Sequence, residues 1–305
     1  MEKTKKISVV IPCYNEEKVL DQLFDRVTKS ASLWKHSWEV ICVDDGSKDA
    51  TWDKLKAQSK KDPRWKTISF SRNFGQQMAI SCGLNYASGD AIIIMDADLQ
   101  DPPEELHRYI SKWEEGYDVV YAIRTKRKEE VVRKLGYWAF YRIFPKLVNF
   151  YIPLDAGDFS VMDKKVVEVL KNMPERNRFV RVLRAWTGFK QIGLECERGK
   201  RVAGKTSYSL RKLLGLGFNG ILSFSSTPLT VALYFGLFVT SLALILAVLG
   251  FVPSYSITLV SVLFLGGIQL VFLGVIGSYL SRIYDEVRGR PHWIIKDSTI
   301  TPSLS

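Results

Sequence analysis

The stretch Ala91-Ile-Ile-Ile-Met-Asp-Ala-Asp-Leu-Gln-Asp-Pro-Pro103 limits the folds open to this chain more than any other. The continuous apolar run from Ala91 to Met95 reads as a strand buried on both faces, the situation of a parallel sheet covered by helices. It stops at Asp96, with a second carboxylate at Asp98. A third, Asp101, precedes Pro102-Pro103, which break the strand and suit the start of a helix. In a strand Asp96 and Asp98 point to the same side, and two carboxylates that close repel each other unless a cation sits between them. Their hard oxygens suit Mg²⁺ or Mn²⁺, ions that hold few protein groups and complete their shell with substrate phosphates. A solvated loop with Asp101 as a helix cap is the plainer alternative. The place of the pair, at the carboxyl end of a buried strand where open α/β sheets bind ligands, favours the cation.

The first two-fifths of the chain alternates strand and helix. Strands are expected at Ile7–Ile11, Glu39–Val43, Thr67–Phe70, Ala91–Met95 and Asp118–Ala122. Helices are expected over Glu17–Ala31, from about Ala50, and over Gly75–Ala87. This alternation predicts a parallel sheet. The first strand-to-helix turn, Pro12-Cys-Tyr-Asn-Glu-Glu17, lacks the Gly-x-Gly-x-x-Gly of dinucleotide sites, which disfavours a nicotinamide or flavin enzyme. Cys13, Cys42, Cys82 and Cys196 show no Cys-x-x-Cys spacing and read as core residues of a protein in a reducing compartment. No secretory signal is expected, because Met1-Glu-Lys-Thr-Lys-Lys6 is followed by only a short apolar run and then Pro12.

Charge is unevenly spread. The net of +11 divides into −3 over residues 1–120, +13 over 121–215 and +1 over 216–305. A basic segment directly ahead of the most apolar part of the chain suits an anionic membrane surface or a phosphate ligand, and makes nucleic acid the weaker reading. Within it, Leu135 to Ile152 interleaves seven aromatic residues with Arg142 and Lys146, which suits either a membrane interface or a buried helix. Asp155-Ala-Gly-Asp158-Phe159 presents a carboxylate after a helix. Arg201-Val-Ala-Gly-Lys205-Thr-Ser-Tyr208 is either a phosphate-gripping loop or an ordinary linker.

Pro228–Phe251 and Ile257–Ser281 contain no charged residue. Each is long enough to cross a hydrocarbon core of about 30 Å. The five residues between them allow only a tight turn, so a helical hairpin is expected, with Gly266, Gly267, Gly274 and Gly277 permitting close packing and a homo-oligomer through the hairpin. Arg211, Lys212, Arg282, Arg288 and Arg290 flank the hairpin and none lies in its loop, which places both termini on the cytoplasmic side. The expected organisation is residues 1–207 as the catalytic domain, 208–227 as a juxtamembrane segment, 228–281 as the hairpin and 282–305 as a cytoplasmic tail.

Taken in order, Ile11-Pro-Cys-Tyr-Asn-Glu-Glu17, Val43-Asp-Asp-Gly-Ser47, Ser71-Arg-Asn-Phe-Gly75, Asp96-Ala-Asp-Leu-Gln-Asp-Pro102-Pro103 and Gly157-Asp-Phe159 resemble family 2 glycosyltransferases. Within that family the chain is similar to the polyprenyl-phosphate sugar synthases, the branch of dolichol-phosphate mannose synthase and the bacterial bactoprenol glucosyltransferases. Phe264-Leu-Gly-Gly-Ile-Gln269 and Gly274-Val-Ile-Gly-Ser-Tyr-Leu280 match the latter especially well, and the resemblance covers essentially the whole chain. It implies an α/β GT-A (Rossmann-like), mostly parallel sheet domain followed by interfacial helices and a two-helix transmembrane hairpin in the cell membrane. It also implies a metal-dependent, inverting transfer of a sugar, glucose from UDP-glucose above others, to undecaprenyl phosphate. A GDP-mannose-dependent synthase and a non-catalytic nucleotide-sugar-binding membrane protein stand as alternatives.

The same resemblance implies roles for individual residues. Pro12, Tyr14, Glu16 and Ala97 would border the nucleotide sugar, with Asp45 or its neighbour Asp44 holding the base. Asp96, Asp98 and Gln100 would surround a Mg²⁺ or Mn²⁺ ion that bridges the diphosphate, and Asp98 counts with Asp158 among the catalytic residues. Asp158 matches the carboxylate proposed as base. Arg201 would sit over the donor pyrophosphate, and Arg124 and Arg133 would receive the acceptor phosphate. The chain departs from the family pattern after Gly204-Lys205-Thr206, where Ser207 replaces the usual Lys or Tyr, and this leaves the role of Lys205 open. Arg181-Val-Leu-Arg-Ala-Trp186 only loosely resembles the Gln-x-x-Arg-Trp signature of processive synthases, which also need more spans than one hairpin.

Overall fold

The computed structural model describes residues 4–125, 156–176, 178–197 and 255–300, with isolated positions between 229 and 245. In chain order the elements are β1 (Lys6–Cys13), α1 (Leu20–Ser32), β2 (Ser37–Asp44), α2 (Thr51–Lys61), β3 (Trp65–Phe70), α3 (Gln76–Tyr86) and β4 (Ala91–Ile94). A 3₁₀ turn, Pro103–Glu105, leads into α4 (Leu106–Glu114). Then come β5 (Val119–Thr125), β6 (Ala156–Asp163), α5 (Lys164–Lys171), α6 (Val180–Trp186), β7 (Gln191–Glu197), α7 (Tyr255–Val287) and β8 (Ile295–Ser298).

The eight strands among the described residues join one sheet in the order β7-β5-β6-β4-β1-β2-β3-β8. β4, β1, β2 and β3 are mutually parallel, and β5 is parallel to β7. The mostly parallel sheet expected from the alternation is therefore present. β6 and β8 run against it, β6 antiparallel to both β4 and β5, and β8 antiparallel to β3. The central strands are buried along their length, as their unbroken apolar runs require. α1 buries Leu20, Leu23, Phe24 and Val27, spaced one helical stripe apart. α3 packs so closely on β1 that a Cβ on Gly83 would lie 2.3 Å from Val10 Cγ1.

Strand order reverses between β1 and β4, because β2 and β3 build outward on one side of β1 and α3 returns the chain to the other. The carboxyl ends of β1 and β4 therefore part at a switch point, the crevice where open α/β sheets bind ligands. Met95, Ala97, Leu99 and Phe159 belong to the core cluster that underlies this crevice.

The described residues fall into two compact units, one holding the sheet with the residues from Pro291 onward, the other holding α7. α7 is longer than the charge-free run that predicted it. It begins at Tyr255 and continues past Ser281 through Arg282, Asp285 and Glu286, since charged residues of this kind sustain a helix, and it stops ahead of Gly289 at φ +60°. Within Phe264–Val287 an 18-residue stretch has a mean hydropathy of 1.7 with none of it buried, so the helix is long and apolar enough to cross a membrane. Most of the first charge-free run lies outside the described residues, as do 252–254 of the turn expected over 252–256, while Tyr255 and Ser256 already belong to α7. The described positions of that first run, 234–236 among them, are helical, and the Phe235 ring meets Phe272 of α7 edge-on with centroids 6.1 Å apart.

The segment expected as a tail from residue 282 is structured. Beyond α7 the chain adds β8 to the edge of β3, with the Thr299 N–H donating to the Thr67 carbonyl at 2.9 Å. Trp293 stacks on Phe70, and Lys56 pairs with Asp297 at 2.8 Å.

Candidate functional site

At the carboxyl end of β2, Asp44 and Asp45 are both buried. Asp44 accepts from the Ser47 N–H at 3.0 Å and from the Ser69 hydroxyl at 2.8 Å. Asp45 accepts the N–H of Phe74 at 2.6 Å on one oxygen and that of Gly75 at 2.9 Å on the other. Burial pushes the Asp45 carboxyl up, against the pull of those two amides, and the neighbouring Asp44 adds to the rise. Gly46 between the two loops sits at φ +69°, and a Cβ there would lie 2.5 Å from the Arg72 carbonyl carbon and 2.8 Å from the Asn73 nitrogen. Only glycine lets the Asp44–Ser47 and Ser71–Gly75 backbones press together this way.

The loop after β1 is bound to the same end. The Asn15 N–H donates to the Ser47 hydroxyl at 2.9 Å, the Asn15 side-chain oxygen accepts from the Lys48 N–H at 2.9 Å, and the Glu16 N–H donates to the Thr51 hydroxyl at 2.8 Å. Asn15 takes up φ +57°, a left-handed conformation that asparagine tolerates. Pro12 is buried in β1, Tyr14 is exposed and Glu16 is half-buried. The three residues expected along the nucleotide thus follow one another out of the core over the end of the sheet.

After β4 the chain turns through Asp96-Ala-Asp-Leu-Gln100. Asp96 Oδ1 accepts from the Gln76 side-chain amide at 2.7 Å, and Asp98 Oδ1 accepts the Gln100 N–H at 3.1 Å. Ala97 and Asp98 are buried, Asp96 and Gln100 half-buried. Leu99 is buried at φ +56°, a left-handed conformation that costs a non-glycine residue about 1–2 kcal/mol. Its side chain belongs to the core cluster, and that packing holds the turn. Among the described residues no three His, Cys, Asp or Glu side chains converge as a ready-made metal cluster. The donors that do stand here are carboxylate oxygens on a single turn, with an amide oxygen at Gln100. This hard set fits Mg²⁺ or Mn²⁺ in a site that substrate phosphates complete.

β6 brings in the third carboxylate. Its pairing with β4 ends at Ile94 opposite Ser160, and two residues on from these lie Asp96 and Asp158, where the register of β6 against β5 shifts. Asp158 Oδ2 accepts from the Gln77 side-chain amide at 3.2 Å, and its Oδ1 is buried without a hydrogen-bond partner among the described residues. Beside it lies Arg184 of α6, fully buried. Its Nη2 donates to the Gly157 carbonyl at 3.3 Å, and its guanidinium sits 5.4 Å from the Tyr121 ring centre. Burial lowers the Arg184 pKa to about 10, with Asp158 and then Tyr121 pulling it back up, so the group is charged at neutral pH.

The structure thus brings Asp44, Asp45, Asp96, Asp98 and Asp158 to one end of the sheet. Arg124 lies on β5 in register with Cys196. Arg133 and Arg201, together with Lys205 and Ser207, lie outside the described residues, as does the aromatic-basic stretch 135–152. Reasoning from sequence passed over Gln76, Gln77 and Arg184. The two glutamines directly follow Ser71–Gly75, and Arg184 sits inside the segment weighed only as a processive-synthase signature.

The profile described as "Glycosyl transferase family 2" matches residues 8–170. An uncharacterized glycosyltransferase of Bacillus subtilis (strain 168), YkcC, is 45% identical over 301 residues, 95% of this chain and 93% of that protein. An SfII prophage-derived bactoprenol glucosyl transferase of Shigella flexneri is 42% identical over 304 residues, 96% of this chain and 98% of that protein. Among solved structures, glucosyl-3-phosphoglycerate synthase from Mycobacterium tuberculosis, in complex with Mn²⁺, UDP-glucose and phosphoglyceric acid, matches 72% of this chain and 78% of its own. The identity there is 18% and the TM-score 0.48.

Proposed function

Since this chain belongs to glycosyl transferase family 2, we propose that it moves glucose from UDP-glucose to a polyprenyl phosphate of the undecaprenyl type, with inversion at the anomeric carbon. The observation that carries this reading is that Asp96, just past the end of β4, and Asp158 of the neighbouring β6 accept from the adjacent side chains of Gln76 and Gln77, at the switch point of the sheet. The name of the Shigella flexneri relative, a bactoprenol glucosyl transferase, supports the choice of sugar and lipid. The basic segment from 121 to 215 supports a phosphate-bearing acceptor, and the exposed apolar length of α7 supports a membrane setting.

In this reading the bond between the sugar's anomeric carbon and the diphosphate breaks, a bond from an acceptor phosphate oxygen to that carbon forms, and UDP leaves. Asp96 and Asp98, with Gln100 beside them, would hold a Mg²⁺ or Mn²⁺ ion, which when bound neutralises charge on the diphosphate. Pro12, Tyr14, Glu16 and Ala97 line the nucleotide sugar, and Asp44 and Asp45 shape the end that receives the base. Arg201 faces the donor pyrophosphate. Arg124 and Arg133 bind the acceptor phosphate, a task that suits the planar fork of arginine. That phosphate is already an anion at neutral pH, so Asp158 acts by orienting it more than by removing a proton. Two membrane spans, near 228–251 and 257–281, would keep the catalytic domain and both termini on the cytoplasmic side, where nucleotide sugars are available.

A screen of radiolabelled UDP- and GDP-sugars with membranes supplied with undecaprenyl phosphate tests the assignment. UDP-glucose is expected to give a solvent-extractable labelled lipid at least tenfold faster than the other donors. Labelling from GDP-mannose alone would replace glucose by mannose, and no labelled lipid from any donor would remove the acceptor class.

A further inference from the structure

Two side chains outside the motifs converge on the Gly157–Asp158 step. The Gln77 amide is fixed in orientation by chemistry. Its oxygen accepts the Val180 N–H at 2.9 Å, and a backbone N–H can only donate, so its NH₂ must face Asp158, which lies 3.2 Å away. Val180 opens α6, and one turn later on the same helix Arg184 donates to the Gly157 carbonyl at 3.3 Å. α6 therefore grips this step twice, directly through Arg184 and indirectly through Gln77. The Arg184 guanidinium is enclosed, with Nε and Nη1 lacking hydrogen-bond partners among the described residues. Asp158 is the acidic group that most favours its charge. A fully buried cation with so few hydrogen bonds is a poor device for stability, since an apolar side chain of similar size serves the fold as well or better.

We propose that Gln77 and Arg184 are a positioning pair for Asp158. Gln77 holds one carboxylate oxygen, while Arg184 fixes the backbone step and supplies positive charge beneath it. The pair also ties the acceptor side to the donor side. Gln77 follows Gln76, which holds Asp96, and Phe74 and Gly75, whose amides hold Asp45. One four-residue segment, Phe74–Gln77, thereby sets the spacing of three carboxylates that arrive on β2, β4 and β6. The proposal rests on the reading of Asp158 as the residue that orients the acceptor.

The test uses the full-length chain in the UDP-glucose and undecaprenyl phosphate assay, with melting temperature and UDP affinity measured beside turnover. Gln77→Glu keeps the shape and the acceptor for Val180 but turns an oxygen toward Asp158, whereas Gln77→Leu removes both contacts. Turnover is expected to fall about ten- to a hundredfold in both, at least as far in Gln77→Glu, with UDP affinity within about twofold of the parent. A purely structural role predicts the opposite order, the near-isosteric Gln77→Glu being the milder. Arg184→Met is expected to lose at least tenfold in turnover without a lower melting temperature, and Arg184→Lys to recover part of the loss. Parent-like turnover in Gln77→Glu, or losses that track the melting temperature in every variant, would overturn the positioning pair. Asp158→Asn, run alongside, separates the two failures. Full activity in that variant would overturn the reading of Asp158, whereas an inactive Asp158→Asn beside a fully active Gln77→Glu would overturn the pair alone.

Discussion

The ends of β2 and of the β4–β6 pair carry the same chemical material, buried or half-buried carboxylates, and hold it in different ways. At β2, Asp45 is clamped by two backbone amides and Asp44 by a backbone amide and the Ser69 hydroxyl, with Gly46 letting the two loops meet backbone to backbone. At β4 and β6, Asp96 and Asp158 are each held by the end of a glutamine side chain. The β2 clamps come from the backbone of the adjoining loops, whereas Gln76 and Gln77 reach across as side chains, and the Gln77 amide is itself oriented by the Val180 N–H. The β2 end is thus joined backbone to backbone, while Asp96 and Asp158 are reached by side chains and Asp98 by the Gln100 N–H.

Substitutions that break this comparison have graded effects. The largest belongs to the β4–β6 side. Asp98→Asn and Asp158→Asn should each lose roughly 10²–10³-fold in transfer rate, the scale of removing one electrostatic contact at a reacting centre. EDTA should stop the parent protein and added Mg²⁺ or Mn²⁺ restore it. Initial-rate measurements check all three, and full activity in metal-free buffer would sink the cation.

On the β2 side the loss is of stability. Gly46→Ala places a Cβ against the Arg72 backbone at a positive φ, and should destabilise the fold by about 2–3 kcal/mol in denaturant titration. An unchanged midpoint would mean that the two loops are not pressed together as described.

A third region offers a control, because Glu39 of β2 lies away from the candidate site residues. It is buried, which would raise its pKa. Hydrogen bonds from Lys6, Lys66, Ser8 and Ser88 outweigh that and bring it from 4.5 to about 2. A carboxyl lowered on folding adds stability that is complete above its unfolded value and is lost as pH falls through its folded value. The contribution, about 3 kcal/mol, should fade from pH 4.5 down to pH 2. Glu39→Gln should flatten stability across that window while leaving UDP affinity unchanged. A steep fall in the variant equal to the parent's would point to other carboxylates. The smallest effect is expected at the exposed Lys56–Asp297 pair on β8, where Lys56→Ala should leave the melting temperature nearly unchanged.

The same contrast explains what could be foreseen from sequence. β1, β2, β4 and β5 were legible from their apolar runs, the mark of a strand buried on both faces, and β3 from the apolar residues Ile68 and Phe70 between polar ones. β6, Ala-Gly-Asp-Phe-Ser-Val-Met-Asp, has no such run, and its place between β4 and β5 is set by antiparallel pairing with residues far away in the chain. Edge strand β7 alternates Ile192, Leu194 and Cys196 with glycine and glutamate, a period-two signal that is weaker than a buried run. β8 offers one apolar residue in four and is recruited by backbone pairing. Asp44, Asp45, Asp96 and Asp98 stood out as motifs on short loops. Gln77 and Arg184 did not, because their partners lie 81 and 27 residues away and nothing local marks an amide or a guanidinium as turned inward.

The central claim is that these carboxylates serve transfer of a sugar to a lipid phosphate. The most direct measurement is the initial rate of label transfer from UDP-glucose to undecaprenyl phosphate, set beside undecaprenol of the same chain length, in the presence of Mg²⁺. The account predicts a labelled lipid from the phosphate, at least a hundredfold less from the alcohol, and none above background from Asp98→Asn. Equal labelling of alcohol and phosphate, or undiminished transfer by Asp98→Asn, would contradict it.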